Sequence, residues 1–109
     1  MSEIKIIIRS EFSDSPGARY KKDGPFSGEE FYENFLEPRF KEAVDKHVQL
    51  LIDLDGVWGY PSSFVSGSFG KLSIKYGAKK VLDIINFISQ ESETRKDRII
   101  SEIQNPTRK

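Results

Sequence analysis

The chain has 109 residues, 37% of them hydrophobic and 31% charged, so it suits one domain with a single core and is too apolar for a disordered chain. Its 17 basic and 17 acidic side chains cancel, which leaves no global field to draw in nucleic acid or an anionic membrane. It has no cysteine, which excludes disulfides, thiolate chemistry and Cys-ligated zinc and fits a reducing compartment.

"IKIII", Ile4 to Ile8, is short and β-branched and predicts a first strand. The apolar run is interrupted by Lys5 and preceded by Glu3, so it is neither a signal peptide nor a membrane span. A soluble cytoplasmic domain is the expectation. Ala18 to Lys22 alternates weakly before the Asp23-Gly24-Pro25 turn and predicts a second, edge-like strand. A helix follows. Ser27 and Glu30 have the spacing of a capping box, and Phe31, Phe35, Leu36, Phe40 and Val44 recur on one side. Pro38 predicts a kink there, or two short helices.

"VQLLIDLDG" is the clearest strand, and its nearly continuous apolar run predicts cover on both faces. The segment after it predicts a helix capped by Ser62 or Ser63, with Phe64, Val65, Phe69 and Leu72 inward and Gly77 at its end. Gly67 and Gly70 weaken that helix and suggest close approach of another backbone. Val81 to Asn86 predicts another strand. A last helix starts at a Thr94–Asp97 capping box and carries Ile99, Ile100 and Ile103. The predicted order is β-β-α-β-α-β-α. That is a single α/β domain over 1–105, with a small mixed sheet of about four strands, three to four helices packed on it, and a frayed tail at 106–109.

Asp53 and Asp55 share a strand face near the C-terminal end, where open α/β sheets bind ligands. They suit magnesium-assisted or phosphotransfer chemistry, or simply an Asp55-Gly56 turn with Asp53 bonding backbone amides in the neighbouring loop. "GSFGKLS" lacks the spacing of a phosphate loop. His47 has no spacing that ties it to a serine and reads as a solvated loop residue. Lys79, Lys80, Arg95, Lys96 and Arg98 read as solvated helix surface. Trp58 and Tyr60 flank the serine corner, as core cover or as the aromatic rim of a binding surface. At that corner Ser62 and Ser63 are placed either to cap the helix or to carry a phosphate beside free amides.

Four motifs stand in order: "FSGEEF" at 26–31, "LIDLDG" at 51–56, "YPSSF" at 60–64 and "FGKL" at 69–72. Together they resemble the STAS-like domains of unknown function grouped as DUF4325. A looser likeness reaches the anti-sigma-factor antagonists of bacterial partner switching. Leu54 to Pro61 has the spacing of their phosphorylation loop, which puts Ser62 on the phosphorylated serine, with Pro61 in place of Asp and Phe64 in place of Gly. The resemblance implies a STAS-like fold and a non-enzymatic regulatory domain without cofactor or catalytic residues. It implies a GHKL-type ATPase or histidine-kinase-like protein as partner and serine phosphorylation as a switch. The expected partner surface takes in Ser62, Ser63, Asp53, Asp55, Trp58, Tyr60, Phe64, Gly67 and Gly70. Two alternatives stay open: a small nucleotide- or metal-dependent enzyme using Asp53 and Asp55, and a structural homodimerising module.

Overall fold

The computed structural model describes residues 3–106; of the tail expected at 106–109, all but Pro106 lies outside the described residues. Strands β1 (Ile4–Ile7), β2 (Leu50–Asp53) and β3 (Ile85–Ile88) form a parallel sheet in the order β1-β2-β3. The register aligns Ile4, Leu50 and Ile85, then Ile6, Ile52 and Phe87, so these six share one face. The strands advance in one direction, and right-handed crossovers then put both intervening helical segments on that face. The other face carries exposed Lys5 and Asn86 and half-buried Leu51. The apolar run of β2 is therefore covered on one side, not on both. Asp53 is buried there under the side chain of Arg9, which pairs with it.

Between β1 and β2 lie α1 (Ile8–Glu11), a 3-10 turn (Lys21–Asp23), α2 (Gly28–Phe31), a π turn (Tyr32–Leu36) and α3 (Glu37–Lys46). Ala18 to Lys22 is not a strand, and the sheet is not mixed. The carbonyls of Ala18 and Arg19 accept from the amides of Gly28 and Glu29, so this segment caps α2 instead of pairing with a strand. Ser27 Oγ accepts from the Glu30 amide at 3.0 Å, and Glu30 reaches back to the Phe26 amide at 3.1 Å. The capping box is present, shifted by one amide. Pro38 lies in the first turn of α3, as expected of a second helix that starts at the proline. The π turn ends with the Glu37 amide bonded to the Tyr32 carbonyl, and Pro38, which has no N–H, stands just past this change of register.

The second crossover is α4 (Ser62–Val65), a π turn (Ser66–Gly70), α5 (Lys71–Tyr76) and α6 (Ala78–Ile84). Ser68 donates its hydroxyl to the Phe64 carbonyl at 2.8 Å, which competes with the regular ladder at the π turn. Gly77, at φ 95°, separates α5 from α6. Val81 to Ile84 is thus helical and β3 starts only at Ile85. Its short apolar run fits either state, and the Val81 amide bonds the Gly77 carbonyl. Helix α7 (Glu93–Gln104) is capped by Ser92 Oγ, 3.3 Å from the Arg95 amide, and not by Thr94.

The two helical segments meet where a Cβ on Gly28 would stand 2.5 Å from the Phe64 carbonyl oxygen and 3.1 Å from Gly67 Cα. Phe31 packs there against Phe12, Phe64 and Phe69, with ring centroids 5.2 to 6.0 Å apart. Behind this layer, Glu37 Oε2 accepts from Lys75, Tyr32 and Tyr76 at 2.6, 2.9 and 2.9 Å. The Lys75 bond, with the two phenols and against burial, holds its carboxyl down to about 2.

Ser27→Ala should destabilise the fold by about 1 kcal/mol, read as a lower denaturation midpoint. Glu37 contributes stability in full above the 4.5 of a free carboxyl and loses it as pH falls towards 2. The stability gap between wild type and Glu37→Gln should therefore close over that range, as followed by urea titration at several pH values.

Candidate functional site

The C-terminal ends of β2 and β3 carry a network of charges. Asp53 Oδ2 pairs with Arg9 Nη1 at 3.1 Å, and Asp53 Oδ1 accepts from the Asp55 amide at 3.0 Å. The Asp55 carboxylate accepts from the amides of Gln90 and Glu91, each at 3.0 Å. Glu91 Oε1 in turn accepts from the Gly56 amide at 2.9 Å. The loops after β2 and β3 are thus latched by carboxylates bonded to backbone N–H groups, the strongest neutral-donor arrangement for them. An open cavity of about 470 Å³ lies among these residues. Both carboxylates are engaged, but Asp55, and not Asp53 as in the turn reading, bonds the amides of the neighbouring loop. Among the described residues no group of three or more His, Cys, Asp or Glu is placed to hold a metal ion.

The loop continues to Trp58. Its amide donates to the Asp14 carbonyl at 2.8 Å, and Arg95 donates to the carbonyls of Val57 at 2.7 Å and Trp58 at 2.9 Å. The backbone is held from both sides while the indole is 83% exposed. Tyr60 is half-buried. Its hydroxyl donates to the Leu54 carbonyl at 2.9 Å, and its ring lies between Phe64 and the Arg95 guanidinium, 6.1 and 5.8 Å away. Burial pushes the phenol well above its usual range.

Neither Ser62 nor Ser63 caps the helix. Pro61 is the N-cap, and its carbonyl accepts from the Val65 amide at 3.1 Å. The serines are therefore the first two helical residues, past the position from which a hydroxyl reaches the free amides. Ser62 is exposed and Ser63 half-buried. Ser62 borders a depression of about 280 Å³ shared with Tyr60, Val65, Arg98 and Glu102.

Four of the expected surface residues are buried: Asp53 under Arg9, and three that turn into the helical layer. Phe64 is fully buried in the aromatic cluster. Gly67 is buried against Arg19, whose carbonyl oxygen would stand 2.8 Å from a Cβ there, and Gly70 against Glu102 of α7, with Oε2 at 2.7 Å from such an atom. The backbone and side chains that come close at both glycines are this chain's own. Trp58 and Ser62 remain outward, with Ser63 and the edge of Tyr60 beside them. His47 is exposed at the opposite end of β2, where it ends α3 in the left-handed conformation at φ 57°. Arg95 is half-buried and a scaffold residue, not solvated surface. Arg9 and Glu91 carry as much of the network as the two aspartates. Arg9 is signalled only as a charge directly after an apolar run, and Glu91, three residues past β3, has no such signal.

A one-sided parallel sheet with helices on its core face and a latched loop after β2 defines a small α/β domain. The chain belongs to the family of STAS-like domains of unknown function (DUF4325), whose model matches residues 27–95. That span takes in the capped helix, β2, the serine corner and β3. No curated protein and no solved structure matches the chain. Among the described residues no helix is long and apolar enough to cross a membrane.

Ser62→Ala should leave stability within about 0.5 kcal/mol of wild type, because no hydrogen bond is lost. A larger drop in the denaturation midpoint would mean that the hydroxyl caps the helix in solution.

Proposed function

We propose that this domain is a non-enzymatic regulatory module that binds a GHKL-type ATPase or histidine-kinase-like protein in a bacterial partner-switching circuit. Phosphorylation of Ser62 sets the affinity. The observation that supports this most is Trp58, 83% exposed on a backbone held by Asp14 and Arg95. A large aromatic side chain on a fixed loop is suited to anchoring a partner, because little of the loop has to be ordered on binding. Ser62 lies four residues on, exposed at the first position of a helix. A phosphate there meets the positive end of the helix and adds about two negative charges to the surface beside the indole.

The enzyme reading draws less support. Asp53 and Asp55 are engaged with Arg9 and with backbone amides, and His47 is at the other end of β2 from the serines.

The test is calorimetric titration with purified GHKL-type ATPase domains from the same organism. Wild type and Ser62→Ala should bind alike. Trp58→Ala and Ser62→Asp should bind at least about tenfold more weakly with unchanged denaturation midpoints. The reading fails if no such ATPase binds, or if both weakened variants bind like wild type.

A further inference from the structure

The two edges of the sheet are treated differently. On β1 the bond from the Ile4 amide to the Gln49 carbonyl sets the phase of the ladder, so Lys5 and Ile7 turn their backbone groups outward. Arg39 Nη1 donates to the Lys5 carbonyl at 3.0 Å, and the Ile7 amide donates to Glu11 Oε2 at 2.8 Å. Arg39 and Glu11 also pair with each other at 3.3 Å, which closes this edge with charge. On β3 the bond from the Leu54 amide to the Ile88 carbonyl sets the phase, so Ile85 and Phe87 face outward. The Ile85 amide is taken by the Val81 carbonyl at the end of α6. The Phe87 amide, the Phe87 carbonyl and the Ile85 carbonyl have no hydrogen-bond partner among the described residues. The strand "INFI" has no charge and no proline to discourage pairing.

We propose that this edge is a self-association site, at which a second copy of the chain adds its own β3 antiparallel across a two-fold axis at Phe87. The axis makes the edge complementary to itself. The amide of each Phe87 meets the carbonyl of the other, and each Ile85 carbonyl faces the Ser89 amide of the other copy. One end of the edge carries Lys79 and Lys80 on α6, where Lys79 pairs with Asp83 at 3.3 Å, and the other carries Glu91 and Glu93, where Glu93 pairs with Lys96 at 3.5 Å. Among the described residues Lys80 is left over at one end and Glu91 at the other, and antiparallel pairing sets Lys80 of each copy towards Glu91 of the other. The ring of Phe87 is half-buried, edge-on to Phe69 at 5.7 Å, and pairing across the axis covers its open side with the second Phe87.

The absence of cysteine makes a clean test. In this register residue 86 of one copy stands opposite 88 of the other as a non-hydrogen-bonded pair, with Cα atoms about 4.5 Å apart, which a disulfide can span. Sedimentation of the wild-type chain should show a reversible monomer–dimer equilibrium below about 1 mM. Under mild oxidation the double variant Asn86→Cys, Ile88→Cys should form a covalent dimer, and each single variant much less. A wild-type chain that stays monomeric up to about 1 mM overturns the proposal. So does a dimer in which the double variant crosslinks no better than the single ones.

Discussion

The approach of Gly28 to the Phe64 carbonyl and the Gly67 backbone sets the geometry of the whole helical layer. Strands of four residues cannot hold a sheet by themselves, and this one buries a single face. Its core face needs a layer pressed close to it. A side chain at Gly28 would push the two crossovers apart and open the contact of Phe31 with Phe64 and Phe69. Each crossover also contains a π turn, and each turn has a local cause: Pro38 after the first, the Ser68 hydroxyl within the second. The extra residue in each turn lets the helix continue while re-aiming its inward side.

That layer fixes the start of α4, and the loop before it is fixed by charge. Asp53, Asp55 and Glu91 accept backbone amides, and Arg95 donates to backbone carbonyls. Buried or half-buried loop backbone has to find partners somewhere, and here side chains supply them. The loop is stiff for that reason. Tyr60 is drawn in by the Leu54 carbonyl, whereas Trp58 has its backbone held and its ring left in solvent. A surface that is rigid in backbone and open in side chain is the setting in which an exposed aromatic residue has meaning beyond chance exposure.

Much of this was legible in local spacing. Ser27 and Glu30 predict the start of α2, and the structure has the Ser27 cap with Glu30 reaching back one amide further, to Phe26. The apolar run at Leu50 predicts β2. Asp55-Gly56 predicts a turn with Asp53 bonding amides of the neighbouring loop; the turn is there, but Asp53 bonds the Asp55 amide within it and Asp55 is the residue that reaches the neighbouring loop. The combined motifs point to the STAS-like family, and that family's model matches residues 27–95. Ala18 to Lys22 and Val81 to Ile84 depart from the strands their patterns predict for a common reason. Both are short, and short weakly patterned runs take their state from what they pack on.

The sequence by itself determined the family, the α/β class, the capped first helix and the central strand, because those signals close within a few residues along the chain. Tertiary structure decided the rest. It made the carbonyls of Ala18 and Arg19 a helix cap rather than a strand edge, turned Gly67 and Gly70 towards this chain's own Arg19 and Glu102, and opened α4 at Pro61 so that Ser62 has nothing to cap. Each of these depends on which distant group reaches a backbone amide or a bare Cα first, and no spacing in the sequence records that distance.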